Sequence, residues 1–393
     1  MPVVVIYNPV SGNRTAEQLF REHVLPLLAE HNKRPVEVIA TTHPNHAGEA
    51  ILALRKQFSD SDPLTLVLGS GDGTLHEIVS ALHQSPPERH FEITIALIPC
   101  GTANALYSSF FPPAQNEDVT AISYRFKSLN RFLTSPSPSR VPLSSAYVTL
   151  AASTGVTTQT SAAAVVVSTA LHAAILHDSE ELRATHPGIE RFKMAAAKNI
   201  TQWSNARVRL LPLPDQGKVE QYDPVEGRLL PTEHAGGQVE LDGPFAYFLS
   251  TINVDRLEPA FRIAPLYTTA RPTSAALDVV IVRPLNSPNI THDSEETRVQ
   301  FAQTLAAVLG GAYQDGAHID YGYAEDGSAV PEGKVGPVVE YFRCGGWEWT
   351  PDTSDNRAHM VCVDGEILTI ESGGKVSVKA RGEINAVSIS IFA

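Results

Sequence analysis

The chain has 393 residues, of which 43% are hydrophobic, and a formal net charge of -13 at pH 7. This length predicts two domains or one large domain with a sizeable buried core. The acidic balance argues against nucleic-acid binding and against a polybasic membrane anchor, because both need clustered lysine and arginine.

The cysteines and the apolar runs indicate a cytoplasmic protein. Cys100, Cys344 and Cys362 show no metal-ligand spacing and are odd in number, which is typical of a reduced compartment. The N-terminal apolar run is too short for a signal peptide. Residues 162–176, the most apolar later run, are fewer than the ~18 that a membrane span needs. We therefore expect at most peripheral membrane contact, and the sequence makes no prediction of the oligomeric state.

Four strand–turn–helix units follow one another in the first third of the chain. Each has a short apolar run, a turn rich in glycine or polar residues, and then apolar residues at helical spacing. The predicted strands are residues 3–7, 36–40, 64–68 and 93–98. This order predicts a doubly wound parallel α/β sheet, in which ligands bind outside the carboxyl ends of the strands.

The third of these turns carries the strongest chemical signal. Residues 66–79 read L-V-L-G-S-G-D-G-T-L-H-E-I-V, with Gly69, Gly71 and Gly73 before a helix that begins at about Thr74. Glycines let backbone N–H groups approach a ligand, and a helix N-terminus favours an anion, so the turn suits a phosphate. Asp72 beside a phosphate needs a bridging cation or acts as a base. The alternative is an ordinary turn in which Asp72 caps a helix.

A different pattern follows residues 134–142, which are rich in serine and proline and predict a linker. Strands without regular intervening helices predict a mostly antiparallel second domain with a few helices, one of them over residues 297–309. Residues 216–237 and 323–336 are predicted to be loops. The predicted strands are residues 146–151, 245–252, 277–282, 338–342, 360–363, 376–380 and 387–392.

The four turns together resemble the superfamily of diacylglycerol, sphingosine and ceramide kinases. The family signatures are N-P-x-x-G, T-x-x-x-x-H-A, a Gly-Asp-Gly turn followed by Glu, and P-x-G-(S/T)-x-N. Their counterparts here are Asn8-Pro9 with Gly12, Thr41 with Asn45-His46-Ala47, residues 70–74 with Glu77, and Pro99 with Gly101, Thr102 and Asn104. The resemblance implies a nucleotide-binding α/β domain over residues 1–134 and a lipid-binding β-sandwich over residues 143–393, whose last strand can return to the first domain.

The resemblance also implies the chemistry. It predicts ATP and Mg²⁺ as cofactors, no nucleic-acid partner, and a lipid acceptor: a sphingoid base, ceramide or diacylglycerol. The first loop departs from relatives that carry more glycine and lysine, and Arg14 could replace the lysine. The residues expected to bind the nucleotide are Asn8, Ser11, Gly12, Arg14, Thr15, Thr41, Asn45, Ser70, Gly71, Gly73, Thr74, Glu77, Gly101, Thr102, Asn104, Arg183, Arg191 and Glu366.

The expected catalytic groups lie in two turns. Asp364-Gly-Glu366 matches the D-G-E of the family, which makes both carboxylates candidates for Mg²⁺ binding and Asp364 a candidate base. We favour Asp72 as the base, because its turn lies on the rigid sheet. The alternative for the D-G-E is a plain hairpin turn. Arg183 and Arg191 match arginines that contact the phosphates in the family, and the alternative is a solvated pair, Arg183 with Glu180.

The lipid side of the site departs from the family. In the family, an acidic residue holds the polar head of the lipid. The corresponding positions in this chain are Ala174 and Leu176. Asp178 is the nearest acid and is predicted to bind the substrate, with His172 or His177 as alternatives. Residues 162–176 could line a pocket for the lipid tail or form ordinary core.

Two rival functions stay open at this point. One is a kinase of the same superfold with a soluble substrate, such as NAD kinase. The other is a pseudokinase that binds nucleotide or lipid without turnover, which the altered first loop and the missing acid favour. The intact turns around Asp72 and Asp364 oppose the second rival.

Overall fold

The computed structural model describes residues 2–58, 63–86, 90–135, 138–186, 188–331 and 333–393. These residues form three large sheets and a two-stranded hairpin. No helix in these ranges is both long and apolar enough to cross a membrane. The helices are α1 (Ala16–Leu19), which continues through a π-helical turn (Phe20–Val24) into α2 (Leu25–Glu30), α3 (His46–Gln57), α4 (Asp72–Gln84), α5 (Ala105–Phe110), α6 (Ile122–Arg125), α7 (Lys127–Thr134), α8 (Ala170–Leu182), α9 (Glu190–Asn199), α10 (Leu266–Thr269) and α11 (Glu295–Ala312).

The first sheet is the predicted parallel α/β sheet. Its strands are β1 (Val3–Tyr7), β2 (Glu37–Ala40), β3 (Leu64–Ser70), β4 (Phe91–Pro99), β5 (Arg140–Pro142) and β22 (Val387–Phe392), in the spatial order β2-β1-β3-β4-β22-β5. All seven residues of β3 are buried, as expected for a central strand covered on both faces. The four turns that carry the sequence motifs therefore meet at one edge of this sheet.

The rest of the chain forms a sandwich of two antiparallel sheets. Their orders are β11-β10-β17-β14-β13-β8-β19-β20 and β12-β9-β18-β21-β6-β7. Aromatic side chains from both sheets fill the space between them, among them Phe248 and Trp347, whose ring centroids lie 5.0 Å apart. The strands are β6 (Ser145–Ala151), β7 (Thr157–Ala163), β8 (Val166–Thr169), β9 (Ala206–Leu211), β10 (Glu220–Asp223), β11 (Arg228–Pro231), β12 (Val239–Asp242), β13 (Tyr247–Thr251), β14 (Leu277–Val282), β17 (Glu340–Cys344), β18 (Gly346–Pro351), β19 (Met360–Val363), β20 (Glu366–Thr369) and β21 (Lys375–Arg381), besides the small hairpin β15 (Gly322–Tyr323) and β16 (Ala329–Val330).

Three sequence predictions of local structure were wrong in part. Residues 216–237, predicted to be a loop, contain the hairpin β10–β11, whose polar residues gave no alternating pattern. Residues 323–336 include β16. The predicted linker ends in a strand, because β5 pairs with β22, while residues 136 and 137 lie outside the described ranges. The division of the chain at residues 134–143 remains a prediction.

The two layers share a core. One cluster of buried apolar side chains runs from Ile6 and Leu68 in the first sheet to Val280 in the sandwich. Polar contacts join them as well, since the Ser80 hydroxyl on α4 lies 3.0 Å from the Ser161 hydroxyl on β7. A ligand between the sheet edge and the sandwich therefore meets walls that are fixed to each other.

Candidate active site

A cavity of about 1540 Å³ lies between the carboxyl edge of the first sheet and the sandwich. It exceeds the ~300–1,000 Å³ of common small-molecule sites. All of the predicted nucleotide-binding and catalytic residues line it except Arg14 and Thr15. Turns from opposite ends of the chain, around Gly71 and around Asp364, thus face one another across a single crevice.

Three glycines pack the turns of the first sheet against one another. A Cβ on Gly71 would lie 2.9 Å from the Cα of Gly101, and a Cβ on Gly12 would lie 2.4 Å from the Cys100 carbonyl oxygen. The Gly71 N–H also donates to the Ser11 hydroxyl at 3.2 Å. Larger residues at these positions would push the turns apart, so these glycines hold the floor of the cavity together.

Gly73 has a different surrounding. A Cβ on Gly73 would meet no protein atom within 4 Å, although the residue lines the cavity in the first turn of α4. The free N–H groups of a helix N-terminus and its dipole favour an anion at such a position. The open space at Gly73 is therefore where a phosphate could approach the backbone.

The role expected for Gly69 was wrong. Gly69 lies inside β3 and not in the turn, because the strand continues to Ser70. A Cβ there would lie 2.1 Å from the ring of Phe20 in the π-helical turn. Its glycine thus makes room for helix packing and not for a ligand.

Polar side chains keep the turns in place from behind. Glu77 accepts the backbone N–H of Ala47 at 3.2 Å, which ties α4 to the start of α3. Asn104 has a positive φ of 54° and exchanges two hydrogen bonds with the backbone of Gly101. The Asn8 amide donates to the Thr74 hydroxyl at 3.3 Å. These groups shape the cavity walls beside Thr41, Asn45 and Thr102, which line it directly.

Asp72 caps a helix other than its own. Its two carboxylate oxygens accept the backbone N–H groups of Ala105 at 2.8 Å and Leu106 at 3.1 Å, at the start of α5. Burial raises the pKa of Asp72 to about 6, the two backbone donors oppose that rise, and the charge of Asp364 adds to it. The carboxyl group is thus close to the pKa at which a general base works well near neutral pH.

His76, which sequence reasoning missed, connects the two carboxylates of the D-G-E turn. Its Nε2 lies 3.1 Å from Glu366 and its Nδ1 lies 3.6 Å from Asp364. Burial alone would lower the pKa of His76, but the two carboxylates outweigh it and raise the pKa to about 9. The imidazolium therefore carries a positive charge at neutral pH. The sequence signal that could have identified His76 is its position one helical turn after Asp72 on α4.

The two carboxylates of the D-G-E turn differ in their freedom to bind a metal. Asp364 accepts three backbone N–H groups, from Ala164, Val165 and Val166, at 2.6, 3.0 and 2.7 Å. Glu366 is held through Oε2 only, by His76 and by the Ser161 hydroxyl at 3.3 Å. No group of three or more His, Cys, Asp or Glu side chains in the described residues is arranged to hold a metal. The donor set fits Mg²⁺ held mainly by phosphates and water, with a single carboxylate oxygen from Glu366.

Two arginines reach the cavity from α8 and α9. Arg183 pairs with Glu180 at 3.2 Å, the pair that the sequence offered as an alternative, and Arg191 lies 4.0 Å from the same carboxylate. The Arg191 side chain is 6% exposed, and its burial lowers its pKa. Both arginines line the cavity. Glu180 thus lies beside two cations in the cavity wall.

Three predicted site residues lie away from the cavity. Arg14 is exposed with a φ of 63°, and the Thr15 hydroxyl donates to Asn13. Asp178 sits on the far side of α8, where Asn199 and Lys198 each contact its Oδ2 at 2.9 Å. Although burial opposes it, these partners and His177 hold the pKa of Asp178 below its usual range. Asp178 therefore does not line this cavity, and its role in substrate binding stays a prediction.

A further part of the cavity wall is mainly apolar. Within residues 162–176, Val165, Val166, Ile175 and Leu176 line it, while the other apolar residues of the run belong to the core. His172 also lines it, but burial lowers the pKa of His172 to about 4 and its Nδ1 lies 2.7 Å from the Ser168 hydroxyl. We call this part the apolar arm; its other lining residues include Ile189, Phe192, Ala196, Ala197, Ile200, Tyr247, Leu257, Phe261, Ala306 and Leu309.

Comparison with known sequences finds similar proteins for the first part of the chain. Residues 2–128 match the family model of the diacylglycerol kinase catalytic domain. The chain is 38% identical over 119 residues to sphingosine kinase 1 of Homo sapiens, a match that covers 30% of each protein. It is 36% identical over 106 residues to sphingoid long chain base kinase 5 of Saccharomyces cerevisiae, covering 26% of this chain and 15% of that protein. The matched segment thus spans less than a third of these relatives.

Comparison with solved structures covers the whole chain. A putative diacylglycerol kinase from Bacillus anthracis superposes on 100% of this chain with a TM-score of 0.55, and 97% of that structure is covered. A second structure described in the same way gives a TM-score of 0.54 over 99% of this chain. The sequence identity is 13% in both cases, so these matches establish the arrangement of sheet and sandwich alone.

Proposed function

We propose that this chain, whose residues 2–128 match the family model of the diacylglycerol kinase catalytic domain, is an ATP-dependent lipid kinase. It would transfer the γ-phosphate of ATP to a hydroxyl group of a lipid: a sphingoid base, ceramide or diacylglycerol. The observation that carries the proposal is one large cavity lined both by glycine turns suited to phosphate and by the apolar arm. A lipid kinase needs both surfaces within reach of each other.

The nucleotide end would work by positioning and charge. The phosphates of ATP would lie against the backbone at Gly71 and Gly73, in front of the N-terminus of α4. Thr41 and Thr102 would contact the base or the ribose. Mg²⁺ would be held by the phosphates and by Glu366, and when bound it neutralises charge on the transferred group. His76 keeps Glu366 in place for that contact.

The transfer itself needs a base and further positive charge. The acceptor oxygen would attack the γ-phosphorus, the bond to the β-phosphate oxygen would break, and ADP would leave. Asp72 would take the proton of the lipid hydroxyl, since its raised pKa keeps it ionised above about pH 6 while leaving it basic enough to accept a proton. Arg183 and Arg191 would stabilise the charge on the phosphate oxygens. Asp364 would act through the β7–β8 turn that it holds.

The lipid would enter through the apolar arm, with its tail between α8, α9 and α11. Peripheral contact with a membrane would bring the lipid to the opening, and exposed Met194 on α9 lies beside the lining residue Lys193. A pseudokinase remains the second candidate, because Arg14 lies outside the cavity and leaves the first loop without a cation.

The deciding experiment is a transfer assay with γ-labelled ATP and Mg²⁺. Sphingosine, ceramide and diacylglycerol would be presented in detergent micelles, with NAD as the soluble acceptor. Label in a lipid, dependent on Mg²⁺ and absent with NAD, is the expected result. Label in NAD alone would favour the soluble-substrate kinase. Nucleotide binding without label in any acceptor would favour the pseudokinase.

A further inference from the structure

The C-terminal end of α4 is closed by a residue from the other end of the chain. Helix α4 ends at Gln84, and the next residue, Ser85, is extended, so the helix lacks the left-handed cap that is common at helix ends. The side-chain amide of Asn385 takes that role. Its Nδ2 donates to the carbonyls of Leu82, His83 and Ser85 at 3.1, 2.5 and 2.9 Å. The last carbonyls of α4 are thus bound to a turn 300 residues away in the sequence.

Asn385 lies at the corner where the chain leaves the sandwich. Before the corner, β21 pairs with β6 of the sandwich, and after it, β22 pairs with β4 of the first sheet. Asn385 and Ala386 both have a positive φ, of 46° and 62°. Alanine rarely adopts this conformation, so contacts on both sides must hold the turn. One of them is the Ala386 carbonyl, which accepts the N–H of Phe91 at the start of β4 at 3.0 Å.

Helix α3 and strand β6 fasten the same corner. The buried guanidinium of Arg55 on α3 donates to the Asn385 carbonyl at 3.3 Å and to the Ser85 hydroxyl at 3.2 Å. The Tyr147 hydroxyl on β6 donates to the Glu383 carbonyl at 3.1 Å. The corner is therefore a fixed point between the first sheet, its helices and the sandwich.

The other end of α4 carries half of the candidate active site. Asp72, Gly73 and His76 lie in its first turns, and His76 reaches Glu366 of the sandwich at 3.1 Å. A helix rises about 1.5 Å per residue, so Asp72 lies about 15 Å along the axis from Leu82. The carbonyls of a helix point along its axis, and the bonds from Asn385 therefore oppose movement of α4 in that direction.

We propose that Asn385 is a positioning residue for the phosphoryl transfer, because it fixes the axial position of α4 relative to the D-G-E turn of the sandwich. This inference rests on the proposed kinase function. With the Asn385 amide in place, Asp72 and Gly73 stay at one level against Asp364 and Glu366. Without the amide, α4 would gain axial freedom, and the base and the phosphate site would lose their alignment together.

The test compares N385G with A386G. N385G tolerates the positive φ but removes the amide, whereas A386G relieves the turn and keeps the amide. For N385G we expect kcat at saturating ATP to fall about 10- to 100-fold, because a misplacement of about 1 Å far from the chemistry has an effect of that size, and the Kd for ATP to rise less than about tenfold. A386G should keep both values within about twofold of the wild type.

Hydrogen exchange gives a readout that needs no turnover. Asp72 accepts the N–H groups of Ala105 and Leu106 at the start of α5, and both bonds loosen if α4 slips. N385G should therefore speed exchange of these two amides at least about fivefold, and A386G should not. N385D is the second variant should N385G fail to fold, because aspartate tolerates the same φ but has no N–H to donate.

The outcomes separate this inference from the proposed function. A folded N385G protein with the wild-type kcat overturns the positioning role. Faster exchange confined to the last turn of α4, with Ala105 and Leu106 unchanged, makes Asn385 a local cap and also overturns it. If the wild-type protein transfers no phosphate, the proposed kinase function fails, and the exchange of Ala105 and Leu106 alone decides whether Asn385 holds α4 in place.

Discussion

Replacement of Asp72 by asparagine separates its two roles, helix cap and proposed base. Asparagine keeps one acceptor oxygen but turns an NH₂ group toward the other backbone donor, so the N–H of Ala105 or Leu106 loses its partner. A buried unsatisfied N–H costs about 1–3 kcal/mol. The lost negative charge at the start of α5 adds about 0.3–1 kcal/mol. We therefore expect D72N to lower the free energy of unfolding by about 1–4 kcal/mol.

This decrease in the free energy of unfolding is too small to explain a large decrease in kcat. Domains are typically stable by about 5–15 kcal/mol, so most D72N molecules stay folded at 25 °C. If Asp72 takes the proton of the acceptor, kcat should fall about 10²- to 10⁴-fold, while the Kd for ATP changes less than about threefold. The measurements are steady-state turnover, a nucleotide titration and a thermal melt on the same preparation.

A second variant serves as the control for the loss of a helix-capping carboxylate. Asp355 caps a short 3₁₀ helix by accepting the N–H groups of Arg357 and Ala358, and it does not line the cavity. D355N should lower stability to a similar degree and keep kcat close to that of the wild type. Should D72N retain more than about a third of the wild-type kcat, Asp72 would be a structural cap only, and the base would have to be sought elsewhere.

Three further predictions concern other parts of the molecule. G73A should leave stability unchanged or raise it by up to about 1 kcal/mol but weaken ATP binding at least tenfold in a titration, whereas G382A, equally free of neighbours but outside the cavity, should not change the Kd. H76A should cost about 1–3 kcal/mol in a denaturant melt and lower kcat at saturating ATP, because Glu366 loses its partner; an unchanged kcat would contradict its positioning role. Burial lowers the pKa of His318 to about 4, below the ~6.5 of the unfolded chain, so the unfolded state takes up the proton first and stability falls as pH drops from about 6.5 to 4, by up to about 1.4 kcal/mol per unit. H318Q should flatten that slope, and an identical slope in both proteins would contradict the assignment.

The convergence of the four turns on one cavity could be predicted because its signals are local. Each motif lies within a few residues of a strand end, and a parallel sheet brings such ends together whatever follows in the chain. The resemblance found in these four turns agrees with the family model that matches residues 2–128. The place of Asp178 was not predictable in the same way. Residues 172, 175, 176, 180 and 183 face the cavity at helical spacing, and Asp178 is rotated about 200° from residue 176 on the same helix.

Long-range contacts explain the other misses. The role of His76 depends on a carboxylate 290 residues away in the sequence. No periodicity or spacing in the sequence connects such pairs. The prediction for Gly69 failed for the opposite reason. Its neighbours in sequence suggested a turn that binds a ligand, but the ring of Phe20, from another element, leaves no room for a side chain at this position.

The place of β22 has a consequence for how the protein is made. This strand lies between β4 and β5, and its Ser390 contacts Thr94, a residue 296 positions earlier. On the ribosome, the edge of β4 would remain open until nearly all of the sandwich had been synthesised. An open edge invites pairing with other chains, so the nascent protein would be exposed to aggregation during this interval, and a truncation that removes β22 would uncover the same edge of β4.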